Sequence, residues 1–295
     1  MDPVGEPVRA AIASDQRGAL TVASLDLAGT RVEYLEQGRG EPVVLLHSSA
    51  SSSAQWRALA GQLSERYRVM APDLHGYGSS SNWPGRGAFR LEHEAEIVYA
   101  LLGRAGGRAH LVGHSFGGAV ALHVARMRPD LLASLAVIEP VAFHLLQGHD
   151  PEALAEIAEV AAGVGRALAS GDYFAGIARF VDYWSGPGAW ETMPQEKRPG
   201  FAARLGKVAL DFEATLNEPA GLAEFGAMAL PTLVVQGTCS PRPTRRICEL
   251  LARVLPDAQA ATLEGAGHMA PLTHRDAVSA LVSAHLDSAS VTMST

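Results

Sequence analysis

The chain has 295 residues, 47% of them apolar, ample for one large core or two smaller ones, which excludes a fibrous or disordered class. A formal net charge of −7 with no Lys/Arg cluster argues against nucleic acid as a partner. Cys239 and Cys248 stand nine positions apart outside any CxxC or His-rich pattern, so neither a zinc site nor a disulfide framework is expected.

Residues 1–18 are rich in small and polar types and read as a flexible tail, without the basic start and apolar run of a secretion signal. Leu20 to Leu27 and Arg31 to Glu36, turning at Gly29, predict an antiparallel hairpin, and Pro42 to Leu46 predicts a strand buried on both faces. A helix over Ala54 to Leu63, a strand over Tyr67 to Ala71 and a helix over Leu91 to Leu102 follow. Next come a strand at 109–112, a helix at 116–127 and a strand over Leu132 to Ile138. From Ala142 to Gly226 the pattern changes to helices without strands, which marks an inserted cap. Alternation then resumes with strand Pro231 to Gln236, helix Thr244 to Leu255, strand Ala258 to Leu263 and helix Arg275 to Leu286. Strands alternating with helices imply an α/β fold with a mostly parallel, doubly wound sheet. The expected layout is a core of 19–141 and 227–287, a cap of 142–226, and a second flexible tail at 288–295.

The stretch Gly113-His114-Ser115-Phe116-Gly117-Gly118 lies between the apolar run Ala109 to Val112 and the helical run from Ala119 to Ala125. In that context Gly-x-Ser-x-Gly is a nucleophile elbow, a strained strand-to-helix turn that lifts the serine hydroxyl above the sheet. Glycine is required on both sides because the turn brings backbones too close for a side chain. A serine hydroxyl is a weak nucleophile at neutral pH and needs a base within hydrogen-bond reach. His268, in the ordered loop marked by Gly265, Gly267 and Pro271, is the candidate among eleven histidines.

These motifs stand in an order that resembles the α/β-hydrolase superfamily from about Leu20 to Leu286. Leu46-His47-Ser48-Ser49 is similar to the family's oxyanion loop and Asp73-Leu74-His75-Gly76-Tyr77-Gly78-Ser79 to its Asp-x-x-Gly-x-Gly-x-Ser segment. The elbow and Gly265-Ala266-Gly267-His268 complete the series. The resemblance implies an eight-stranded sheet, Ser115 as nucleophile and His268 as base. In most of the family the acid follows strand seven as Gly-x-x-Asp. Here Gly237-Thr238-Cys239-Ser240 carries serine at that place, and no Asp or Glu lies between Pro231 and Cys248. Glu139, ending the strand before Pro140, sits at the carboxyl edge where such sheets assemble their sites, one strand over, or about 4.8 Å. Haloalkane dehalogenase-like members resemble this arrangement, although their elbow carries aspartate. The alternatives are a solvated Glu139, Asp73, which is structural in the family, and a Ser–His dyad.

The oxyanion donors expected by resemblance are the N–H groups of Phe116, at a helix N-terminus, and Ser49. Ser48 replaces the family's usual glycine, and five serines fall between 48 and 53, which puts the loop's path in question. His47 is expected to support that loop and His114 to pack under the elbow. The cap holds ten of the eighteen aromatic residues, so it is the expected source of an apolar substrate pocket, with Phe143 and Trp184 first and Leu146 and Met269 as further wall residues. Phe174, Phe180, Tyr183, Trp190 and Phe201 are also candidates.

The function expected from these residues is a cofactor-free and metal-free serine hydrolase acting through an acyl-enzyme on an ester, thioester or lactone of a fairly hydrophobic small molecule. C–C bond hydrolysis by the same fold is one alternative. A non-hydrolytic ligand-binding or cyclase-like protein is another. With two free thiols and no run approaching a membrane span, the chain is expected in the cytoplasm.

Overall fold

In the computed structural model, which describes residues 20–27 and 29–293, eight strands form a single sheet. They are β1 (Thr21–Leu27), β2 (Thr30–Gln37), β3 (Glu41–Leu46), β4 (Tyr67–Pro72), β5 (Ala109–His114), β6 (Leu132–Ile138), β7 (Thr232–Gly237) and β8 (Ala258–Leu263). Their order across the sheet is β1-β2-β4-β3-β5-β6-β7-β8. Only β2 runs against its neighbours, as the hairpin at Gly29 (φ +87°) requires; every pair from β4 to β8 is parallel. The expected tail at 1–18 lies outside the described residues.

The core helices are α1 (Arg57–Leu63), α2 (Leu91–Ala105) and α3 (Phe116–Met127), and the cap contributes α4 (Pro151–Ser170), α5 (Tyr173–Ser185), α6 (Ala189–Thr192), α7 (Arg198–Ala202), α8 (Leu205–Leu216) and α9 (Leu222–Phe225). The chain then returns through α10 (Arg242–Val254), α11 (Ala270–Thr273) and α12 (Arg275–Met293). Side chains alternate across a strand, so Val43 and Leu45 of β3 pack with Leu59 and Leu63 of α1 and Val282 and Leu286 of α12. Val44 and Leu46 face the opposite layer, built on α2, α3, α10 and the cap. β3, β5 and β6 are largely buried, which is why each reads as a continuous apolar run.

Between Phe143 and Phe225 the elements are α-helices and 3-10 turns joined by short loops, with no strand. The helix expected at Ala54 begins instead as a 3-10 turn, Ser53–Trp56. The C-terminal segment expected to fray from 288 is a correction: α12 continues to Met293. Its serines bond back to structure, Ser288 Oγ donating to His285 O at 2.8 Å and Ser290 Oγ to Glu41 Oε2 at 2.5 Å. Among the described residues no helix is long and apolar enough to cross a membrane.

Candidate active site

Parallel pairing of β3, β5, β6 and β7 sets their carboxyl ends side by side, and each delivers one part of the site. At the end of β5 the chain turns through Ser115, whose φ of +55° and ψ of −117° lie in a region that costs a non-glycine residue about 1–3 kcal/mol. The turn leaves no room around it. A Cβ on Gly113 would lie 2.3 Å from Gly117 O, and one on Gly117 would lie 2.4 Å from Leu46 O. The conformation is held by Ser115 N–H donating to Ile138 O at 3.0 Å and by its carbonyl accepting from Ala119 and Val141.

His268 lies across from this turn, with Nε2 2.9 Å from Ser115 Oγ and Nδ1 3.2 Å from Glu139 Oε2. A carboxylate only accepts, so Nδ1 carries the proton and Nε2 is free to accept from the serine. Glu139 follows β6 with φ +50°, a second strained backbone beside the nucleophile. Its other oxygen, Oε1, accepts from Gly237 N–H at 2.6 Å and from Ser240 Oγ at 2.7 Å. Burial alone would raise this carboxyl, yet the hydrogen bond and charge of His268, with the donors Ser240 and Gly237, hold it below the usual carboxylate value. Ser240, standing where the family's aspartate is usual, is thus a donor to the Glu139 carboxylate. Asp73 lies elsewhere, its two oxygens accepting from Ser53 N–H and Ser79 N–H at 2.7 and 2.9 Å, where it organises two loops.

Ser49 follows β3 and Phe116 opens α3. Among the described residues neither backbone N–H has a hydrogen-bond acceptor, and both residues border Ser115 in one cavity. The serine-rich loop has a defined path despite Ser48 in place of glycine. Leu74 N–H donates to His47 Nε2 at 3.0 Å, so Nδ1 donates to Ser48 O at 2.7 Å, and Ser48 Oγ donates to Gln55 at 2.9 Å. Burial lowers the His47 imidazole to about 4, which keeps it neutral in this role. His114, beneath the elbow, donates from Nε2 to His268 O at 2.9 Å, and burial lowers it to about 3.

A buried polar cluster borders the same cavity and has no counterpart in the motif reading. Asp211 of α8 accepts at Oδ2 from Ser49 Oγ and Tyr77 OH, both at 2.6 Å, and pairs through Oδ1 with Lys207. The Lys207 ammonium also reaches Glu94 Oε1 at 3.0 Å and stands 4.6 Å from the centre of the Phe116 ring. Burial alone would lower Lys207, but the two carboxylates outweigh it and raise the ammonium above its ordinary value. The sequence signal was the Lys207–Asp211 pair, opposite charges four residues apart on one helix.

Two cavities meet at Ser115. The inner one, about 10 Å³, is bounded by Ser49, Phe116, Val141, Phe143, Phe212 and Asp211 among others. The outer one, about 210 Å³, adds His268, Met269, Val181, Met193, Phe201 and Leu272. Trp184 and Phe180 line both, and the Trp184 ring sits 4.1 Å from the His268 ring centre. Phe143, Trp184 and Met269 are therefore brought to the site. Leu146 is not: it is fully buried in the core and lines neither cavity, because the 3-10 turn Phe143–Leu146 aims it inward. Phe174 is half exposed against Trp190, and Tyr183 bonds to Glu156, so these three also stand off. Among the described residues no cluster of His, Cys, Asp and Glu is arranged to hold a metal ion.

Residues 41–275 match the family model described as the α/β-hydrolase fold. The chain is similar to polyketide synthase ThaQ of Burkholderia thailandensis, 30% identical over 92% of this chain, and spans only 13% of that protein's length. It is 29% identical to the pimeloyl-acyl-carrier-protein methyl ester esterase of Aeromonas hydrophila, over 80% of this chain and 92% of the esterase. The structure of a hydrolase from Pseudomonas aeruginosa matches with a TM-score of 0.72 at 24% identity, over 90% of this chain and 98% of that one.

Proposed function

The chain belongs to the α/β-hydrolase fold family, and on that premise we propose that it is a serine hydrolase cleaving a carboxylic ester or thioester of an apolar small molecule through an acyl-enzyme. One observation carries this reading: Ser115 Oγ, His268 and Glu139 form a continuous hydrogen-bonded series with lengths of 2.9 and 3.2 Å. Ser115 attacks the carbonyl carbon as His268 Nε2 takes its proton. The oxygen that becomes negative is met by the N–H groups of Ser49 and Phe116. When the tetrahedral intermediate collapses, His268 returns the proton to the leaving oxygen or sulfur. Water, deprotonated by the same imidazole, then attacks the acyl carbon and releases Ser115. Throughout, Glu139 keeps the imidazole in one tautomer and stabilises its charged form.

The cavities favour one placement of the two halves of the substrate. The leaving group has to accept a proton from His268, so it belongs in the outer cavity, which that residue lines. The acyl group falls on the inner side, in the smaller of the two cavities. The favoured substrate is accordingly a short acyl ester of a larger apolar alcohol or thiol. The Aeromonas esterase's name pairs the reverse, a large acyl group on a methyl alcohol.

The test is hydrolysis of p-nitrophenyl esters from acetate to decanoate, and of methyl esters of the same acids, with Ser115→Ala as blank and a fluorophosphonate as active-site label. Turnover above the blank with labelling at Ser115 supports the reading. Labelling without hydrolysis of any ester or thioester favours a non-hydrolytic binding role, and absence of both refutes a serine nucleophile.

A further inference from the structure

Asp211 and Lys207 sit on the cap helix α8, yet their contacts run to both residues that carry the oxyanion N–H groups. Asp211 Oδ2 takes the Ser49 hydroxyl at 2.6 Å, and the Lys207 ammonium lies 4.6 Å from the centre of the Phe116 ring. Neighbours fix the pair in turn. Tyr77 OH donates to Asp211 at 2.6 Å, Glu94 Oε1 stands 3.0 Å from Lys207, and Arg204 Nη1, just before α8, donates to Ala50 O at 2.7 Å. Ala50 has a φ of +56°, so the backbone beside Ser49 is strained and depends on such ties.

Stability does not account for this arrangement. Side chains of Glu94, Lys207 and Asp211 are 0, 8 and 5% exposed, and a buried ion pair of this kind is commonly no more stabilising than a well-packed apolar set of the same volume. What such a cluster does supply is geometry: charge-assisted hydrogen bonds at fixed positions. Oxyanion stabilisation depends on that, because a misplacement of about 1 Å at a reacting centre costs on the order of a hundredfold in rate.

We propose that the Lys207–Asp211 pair is a positioning device for the oxyanion hole, in which the cap, through Ser49 Oγ and the Phe116 ring, holds both N–H donors in place. The proposal rests on the serine-hydrolase reading above. It makes the cap part of the catalytic apparatus as well as the wall of the pocket.

A double-mutant cycle tests it, using Ser49→Ala, which removes only the hydroxyl and keeps the N–H, Asp211→Asn, and both together. The readouts are kcat and KM for a short-acyl p-nitrophenyl ester and the rate at which diethyl p-nitrophenyl phosphate modifies Ser115, a reaction that develops negative charge on the phosphoryl oxygen. Ser49→Ala is expected to lose about tenfold in kcat, with KM changing by less than about threefold and phosphorylation slowed to match. Asp211→Asn is expected to lose at least as much, and the double variant no more than Asp211→Asn alone, since both act on one contact. Wild-type kcat in Ser49→Ala, or losses that multiply in the double variant, overturns the proposal. Because Ser49→Ala touches only a loop hydroxyl, its kcat decides the matter even where Asp211→Asn fails to fold. Wild-type protein whose Ser115 does not react with the phosphate overturns the hydrolase reading and this one together.

Discussion

Ser240→Ala removes one of three donors from the Glu139 carboxylate and leaves the other two, Gly237 N–H at 2.6 Å and His268 Nδ1 at 3.2 Å. A hydrogen bond to a buried charged group is worth about 1.5–3 kcal/mol, which corresponds to about one to two pKa units on the carboxyl. Glu139 is held below its ordinary value in the folded protein, so its contribution to stability is present above the unfolded pKa of 4.5 and is lost as pH falls through the lower folded value. Removing the Ser240 hydroxyl moves the folded value back up and shrinks that contribution. The variant should therefore be about 1.5–3 kcal/mol less stable at about pH 7.5, with the difference narrowing by about pH 4 as the carboxyl takes up its proton. Urea unfolding of wild type and variant at both pH values measures this directly. Equal stability at neutral pH, or a difference that does not change on acidification, would refute the role assigned to Ser240.

Phe212 closes the inner cavity, and Phe212→Ala should move the preferred acyl chain from acetate toward butyrate or hexanoate in the p-nitrophenyl series; an unchanged preference would place the acyl group elsewhere. His47 and His114 stay neutral when folded until about 4 and about 3, whereas an unfolded histidine takes its proton near 6.5. The unfolded chain therefore binds more protons between those values, and stability should fall by up to about 1.4 kcal/mol per pH unit for each residue on acidification below 6.5. Unfolding free energies that remain level between about pH 7 and about pH 4.5 would contradict neutral buried imidazoles.

Much of the core was legible because local rules and global fold agree. The apolar runs of β3, β5 and β6 are strands buried on both faces, and Gly113 and Gly117 occur where a side chain would meet backbone within 2.4 Å. The carboxylate that bonds to His268 was legible for a similar reason: Ser240 denied the usual position, and Glu139, at the end of a neighbouring strand, lies 3.2 Å from His268 Nδ1. The pocket was far less legible. Phe143 and Leu146 share one 3-10 turn, yet one lines the cavity and the other is core, and no periodicity in so short a segment distinguishes them. Glu94, Tyr77, Ser49 and Asp211 come from four separate segments that only the seating of the cap brings together. At the C-terminus, small polar residues suggested fraying, but Ser290 reaches across to the Glu41 carboxylate at the start of β3 and ties the helix end to the sheet.

The central claim is that catalysis runs through Ser115, His268 and a triad acid displaced to Glu139, and the most direct measurement is kcat/KM of Glu139→Gln for the best p-nitrophenyl ester against wild type and Ser115→Ala. Glutamine keeps the size and an acceptor but loses the charge that holds His268 in its working tautomer, so a folded variant should fall by about four powers of ten. Near-wild-type turnover from folded Glu139→Gln would contradict the account and leave Glu139 outside the catalytic apparatus.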